Sequence, residues 1–225
     1  MPNWCYTKLS VEGEAAGIAA LKAECFTGGA LDFDRIVPMP AELDLEESST
    51  GSIGYQVLAG DWQTVAGYPW VADHGSFATR EALIRHFEAL DAAEENPELH
   101  YLALGRRYLA NQERFGYTTW YRWRIAHWGT KWNVYPHAEP LTVDEPCALE
   151  LNFDTAWSPA LPILAALTER YPALAFEMAY ADEGAGFAGV ASAQGGEVED
   201  ASEPWETVMA DRLDRPPPDE DEDEE

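Results

Sequence analysis

Residues 149–193 read LELNFDTAWSPALPILAALTERYPALAFEMAYADEGAGFAGVASA, and their patterning decides the fold. Leu149 to Phe153 alternate apolar and polar side chains, as a half-buried strand does. In Ser158-Pro159, the hydroxyl suits a helix cap and the proline suits the first helical position, so a helix is expected from there to Arg170, ending near Pro172. Its buried stripe is Ile163, Leu164, Leu167 and Tyr171, spaced three or four apart. Ala175 to Tyr180 and Gly186 to Ala193 read as two further strands joined through Asp182-Glu183-Gly184. The stretch is therefore β-α-β-β.

Upstream, Tyr6 to Val11 alternate and stop at Glu12-Gly13, which predicts a first strand. Ile18, Leu21, Lys22, Cys25 and Phe26 recur at helical spacing before Gly28-Gly29 ends the run. Leu31 to Val37 alternate again until Pro38-Met39-Pro40, and Lys131 to Tyr135 read as another strand. Residues 41–75 hold no sustained period and are expected to form a long irregular connection. Residues 79–115 carry two helical patterns, Leu83, Ile84, Phe87, Leu90 and Tyr101, Leu104, Tyr108, Leu109, separated by Asn96-Pro97. A short helix is expected over residues 118–127. The order predicts an α+β protein on a split β-α-β plan, an antiparallel sheet with helices on one face. The domain is read as residues 1–195, with a helical insertion at 76–118. Residues 196–225 are expected to form an acidic, largely disordered tail, because a proline run followed by a block of carboxylates has no apolar surface to bury.

Composition narrows the class. A chain of 225 residues with 46% hydrophobic residues, nine Trp, ten Tyr and eight Phe can build a packed core. Cys5, Cys25 and Cys147 match neither a disulfide framework nor a metal clasp, and three separated thiols do not make an iron-sulfur site. With neither a signal-peptide pattern nor an apolar run of membrane-spanning length, the cytoplasm is the expected compartment. The formal charge of −27 repels nucleic acid and anionic membranes at long range and attracts basic partners.

Four stretches carry a family resemblance: Met1-Pro2-Asn3-Trp4-Cys5, Trp128-Gly129-Thr130-Lys131-Trp132, Phe153-Asp154-Thr155-Ala156-Trp157-Ser158-Pro159, and Glu183-Gly184 with Phe187-Ala188-Gly189. Together they resemble the Api92-like (YubB-type) proteins of phages and plasmids over residues 1–195. The resemblance implies a ferredoxin-like domain without an iron-sulfur centre, and a place on a mobile genetic element. It brings no catalytic residues.

Gly184-Ala-Gly186-Phe-Ala-Gly189 matches the spacing of a dinucleotide-binding loop, but no helix is expected after it to receive a phosphate, so a glycine-rich turn or bulge is the better reading. His74, His86, His100, His127 and His137 are scattered without metal-ligand spacing. Asp154 and the pair Asp182-Glu183 can serve as an acid-base or metal pair if the fold joins them, although strand-end capping is the ordinary role of such residues. From Arg106 to Lys131, six bases face the single acid Glu113, interleaved with Trp120, Tyr121, Trp123, Trp128 and Trp132. Such a segment suits a protein hot spot or single-stranded nucleic acid; the opposing reading buries the tryptophans in the core and pairs the arginines with acids. The acidic tail can fold back on this segment, imitate a phosphate backbone, or only keep the chain soluble.

These features predict a non-enzymatic interaction protein that binds and inhibits a basic, nucleic-acid-handling host protein, as an anti-restriction or anti-CRISPR factor does. The residues expected to carry binding are Arg122, Trp123, Arg124 and Lys131, together with Asp219, Glu220, Asp221, Glu222, Asp223, Glu224 and Glu225. No metal, cofactor or membrane is expected. The second reading is RNA or single-stranded DNA binding through residues 106–132, with Arg122, Arg124 and Lys131 on phosphates. The third is an enzyme acting on a nucleotide or small signalling molecule.

Overall fold

The computed structural model describes residues 3–182, 184 and 186–213, apart from the side chains of residues 136–140. In chain order its elements are β1 (Trp4–Glu12), α1 (Ala15–Cys25), β2 (Phe26–Thr27), β3 (Ala30–Leu31) and α2 (Phe33–Ile36). Next come α3 (Ser49–Ala59), α4 (Trp62–Ala66), α5 (Pro69–Ala72), α6 (Arg80–Ala93), α7 (Tyr101–Phe115) and α8 (Trp120–Trp128). The chain closes with β4 (Tyr135–Glu145), β5 (Ala148–Ala156), α9 (Leu161–Arg170), β6 (Ala175–Asp182), β7 (Ala188–Gln194), β8 (Glu197–Ser202) and α10 (Trp205–Thr207), the last continuing into a π turn at Val208–Arg212. Two compact units result, one of residues 1–38 and 124–225, the other of residues 39–123.

The first unit is a six-stranded antiparallel sheet in the order β4-β5-β1-β6-β7-β8. Strand β1 alternates as its sequence demands: Cys5, Thr7, Leu9 and Val11 are buried, and the residues between them are less so. Leu9 lies opposite Leu151 on one side and Met178 on the other, all three fully enclosed. Each such side chain contributes about 1.5–3 kcal/mol of burial. Helix α1 brings Ile18, Leu21 and Cys25 to that face, and α9 brings Ile163, Leu164 and Leu167. Because β5 and β6 both pair antiparallel with β1, they run parallel to each other and α9 connects them as a split β-α-β unit. Trp128 completes this core, its ring 6.0 Å from Phe33 and its indole N–H donating to the Val37 carbonyl at 2.9 Å.

Four expectations for this unit are corrected. Leu31 to Val37 is not a strand: only Ala30–Leu31 pairs, and α2 follows because the Asp32 carboxylate accepts from the Asp34 amide while Asn133 takes the Phe33 amide. Lys131 to Val134 form turns rather than a strand, and β4 begins at Tyr135. Ser158 does not cap α9; its hydroxyl donates to the Gly129 carbonyl, and Pro162 occupies the first helical turn. The sheet also continues into the segment read as tail, since Glu197–Ser202 pair with β7.

The second unit is helical. Val57, Val65, Val71, Leu83, Phe87 and Leu102 form its core. Residues 41–75, expected to be irregular, hold α3, α4 and α5. The Ser48 hydroxyl caps α3 by accepting from the Gly51 amide at 3.0 Å. Gly54, which reads as a breaker, is a contact surface: a Cβ there would lie 1.7 Å from the Tyr101 carbonyl oxygen, and one on Gly105 would meet the Gly54 carbonyl carbon at 2.3 Å. Helices α3 and α7 thus pass backbone to backbone. Asp91 caps α7, its carboxylate accepting from the amides of Tyr101 and Leu102 at 2.7 and 3.0 Å.

Candidate protein-interaction face

Helices α1 and α9 cover one face of the sheet, and among the described residues only the short C-terminal helical segment lies on the other. The residues of β1 that alternate with its core set, Tyr6, Lys8, Ser10 and Glu12, lie on the other. The pairing continues them in rows across the strands. One row runs Glu197, Gln194, Ala175, Glu12, Ala148, Glu145, and the next runs Glu199, Ser192, Glu177, Ser10, Glu150, Val143. The row of Tyr6 is different, with Ala188, Ala181, Asp154 and Tyr135.

Part of this face is closed by the chain itself. Val208, Met209 and Leu213 pack on Ala179, Ala181, Ala188 and Val190, with Tyr6 and Trp205 against the same cluster. The Trp205 indole N–H donates to the Asp182 carbonyl at 2.8 Å, which ties the segment to the end of β6.

Below it the glutamate rows line an open groove of about 560 Å³, bounded by Ser10, Glu12, Glu177, Gln194, Glu197 and Glu199. Glu150 takes the Lys8 ammonium at 3.3 Å and a hydroxyl proton from Thr142 at 2.6 Å. Glu177 lies 3.5 Å from the Arg212 guanidinium. Among the described residues, the ion pairs leave Glu12, Glu197 and Glu199 without a cation. Like charges in neighbouring rows repel, so the groove carries a standing preference for incoming positive charge.

At the other end of β1, Trp4, Trp132 and Tyr135 form an aromatic cluster, with Trp4 centred 6.3 Å from Trp132 and 5.0 Å from Tyr135. Trp132 is 36% and Tyr135 58% exposed. Trp157, at the end of β5, is 50% exposed and holds φ of 72°, a conformation that costs a side-chain-bearing residue about 1 kcal/mol or more. The Lys131 ammonium lies 4.6 Å from the Trp132 ring centre.

The residues singled out from the sequence separate. Arg122 is exposed on α8, but Trp123 is 6% exposed and is withdrawn as a partner contact, because its indole belongs to packed interior. Arg124 is half-buried, its guanidinium 4.8 Å from the Trp128 ring centre. Lys131 is half-buried beside Trp132. Asp219 to Glu225 lie outside the described residues. Asp182 is buried and its carboxylate accepts from the Gly184 amide at 2.9 Å, the turn-forming role its residue type favours. Burial, with Asp182 and Asp154 adding to it, pushes the Cys5 thiol up to about 12, so this cysteine is no nucleophile at neutral pH. The His74 and His86 rings are tilted at 38° with centroids 5.2 Å apart, and His100 Nε2 meets the Glu94 carbonyl. Among the described residues no three His, Cys, Asp or Glu converge as metal ligands. Gly189 lies in β7, with no helix at the end of the glycine motif. The groove glutamates and Tyr135 escaped the sequence reading; the period-two spacing of Glu197 and Glu199 was the available signal.

No curated protein matches the chain. A crystal structure of the protein Api92 from Yersinia pseudotuberculosis is similar at 13% identity, covering 90% of this chain and 98% of that one, with a TM-score of 0.45. Residues 128–223 match the family model described as the ferredoxin-like domain in Api92-like protein. That span holds every strand of the sheet after β3, α9 and the covering C-terminal segment, and the chain therefore carries, over residues 128–223, the ferredoxin-like domain of the Api92-like family.

Proposed function

We propose that this is a non-enzymatic interaction protein whose open sheet face, beside the C-terminal segment, binds a basic partner protein. The observation that carries the reading is the pair of glutamate rows lining the open groove, with Glu12, Glu197 and Glu199 unpaired among the described residues. Carboxylates about 7 Å apart along a strand match the phosphate spacing that nucleic-acid-handling proteins are built to grip. The partner is accordingly a basic, nucleic-acid-handling host protein, and binding obstructs it by occupying its nucleic-acid surface. The resemblance to proteins of mobile elements fits such an antagonist, as does the net charge of −27.

The test is affinity capture from nuclease-treated host lysate at low and high salt. It uses the full chain, a chain ending at Arg215, and a variant with Glu12→Gln, Glu177→Gln, Glu197→Gln and Glu199→Gln. The expected result is a basic nucleic-acid-handling protein retained by the full chain, released by salt and lost with the groove variant. Its equal retention by the groove variant and the truncated chain defeats the reading.

A second reading, single-stranded nucleic acid binding, is favoured by one observation, the cluster of exposed Trp132 and Tyr135 with half-buried Trp4 beside Lys131. The carboxylates on the same face oppose it.

A further inference from the structure

We propose that the aromatic cluster of Trp4, Trp132 and Tyr135 is a seat for an arginine guanidinium of the basic partner, so that the open face reads arginine in preference to lysine. The inference rests on the reading of that face as a site for a basic protein and names the chemistry by which it selects its partner.

Three features carry it. Trp132 and Tyr135 are exposed at 36% and 58% and Trp4 is half-buried beside them, whereas Trp128 in the core is 1% exposed. Aromatic faces attract cations of both kinds, and the chain's own lysine and arginine side chains show it. Lys131 sits over Trp132, while Arg124, Arg114 and Arg170 lie over Trp128, Phe115 and Tyr171 at 4.8, 4.8 and 5.6 Å. A guanidinium is planar and weakly hydrated, so it stacks on an indole or phenol face where an ammonium offers only a point charge.

The surroundings select a cation over a phosphate. Asp154 lies directly opposite Tyr135 and Tyr6 in the sheet register. Glu150 stands two rows further along β5, followed by the groove glutamates. A nucleobase would stack on the rings equally well, but its phosphates would then run over carboxylates. From Trp4 to Glu12 the face extends about 26 Å at roughly 3.3 Å per residue. An extended basic segment of about eight residues spans that distance, skirting the C-terminal segment that packs on Tyr6.

The experiment measures binding of fluorescein-labelled peptides to the full chain by anisotropy. One peptide alternates arginine with serine, the other lysine with serine, and labelled oligothymidylate is the third probe. Wild-type protein is expected to bind the arginine peptide about tenfold more tightly than the lysine peptide. Trp132→Ala with Tyr135→Ala removes that preference, Trp132→Phe with Tyr135→Phe retains most of it, and Glu197→Gln with Glu199→Gln weakens both peptides alike. Circular dichroism confirms that each variant folds, as expected for exposed positions. Equal affinity for the two peptides, both lost with the glutamate variant, overturns the arginine seat and leaves the basic-partner reading standing. Failure of both peptides to bind overturns the two together. Oligothymidylate bound by wild type and lost with the alanine variant makes the cluster a nucleic-acid platform instead.

Discussion

The two compact units hold themselves together by different means. In the sheet unit the packing surface is made of side chains, with Leu9 between Leu151 and Met178 repeating a pattern visible in the alternation of β1 itself. In the helical unit a decisive contact is made where side chains are missing, at Gly54 and Gly105. Hydrophobic periodicity announces the first kind of contact. Glycine announces the second only in retrospect, because the residue that permits close approach is also the one that weakens a helix.

This contrast can be broken experimentally. Leu9→Ala opens a cavity at the centre of the sheet and is expected to cost about 2–5 kcal/mol in denaturant unfolding, with lost amide protection in β1 and β6. A loss under 1 kcal/mol would mean that β1 is not the core strand. Gly54→Ala adds one carbon where a carbonyl oxygen already stands, and should cost about 1–3 kcal/mol with faster hydrogen exchange in α3 and α7. If it stabilises the protein, as alanine does in an unencumbered helix, the backbone contact is absent.

Smaller effects sharpen the comparison. Burial, helped by the neighbouring His74, holds the His86 imidazole below its ordinary value of 6.5. The neutral form is therefore favoured on folding, and the unfolded chain binds more protons in the window below 6.5. The stability of the helical unit should fall as pH drops through 6.5 towards the lower folded-state value. His86→Phe should flatten that slope, read as unfolding midpoint against pH. In the sheet unit, Glu197→Gln with Glu199→Gln relieves like-charge repulsion and should raise stability by about 0.5 kcal/mol at low salt, the gain shrinking at high salt. Stabilisation coupled to weaker partner binding is the signature of residues kept for binding at the expense of the fold. Destabilisation would make these acids structural.

Legibility varied with the range of the interaction. Strands β1, β5, β6 and β7 and the buried stripe of α9 were readable because each records its own exposure at period two or at helical spacing. Residues 31–37 misled because Leu31, Phe33 and Ile36 are buried on a two-residue strand followed by one turn of helix, held by Asn133 a hundred residues away. Trp123 looked like a binding residue since it sits among bases, and neighbouring sequence says nothing of which ring faces inward. The candidate face was nearly invisible, as it joins Glu12 to Glu177, Glu197 and Glu199 through strand register alone.

Sequence alone determined the class of this protein: an acidic α+β chain with a β-α-β-β end, separated cysteines and the motifs of the Api92-like ferredoxin-like domain. These follow from composition and from periodicities within ten or twenty residues, where local sterics and amphipathicity act directly. The tertiary structure decided which acids share a row, which tryptophans stay exposed and which part of the sheet the C-terminal segment covers. Glu12 joins those acids only through pairing of β1 with strands more than a hundred positions away, and only the closed core determines that register.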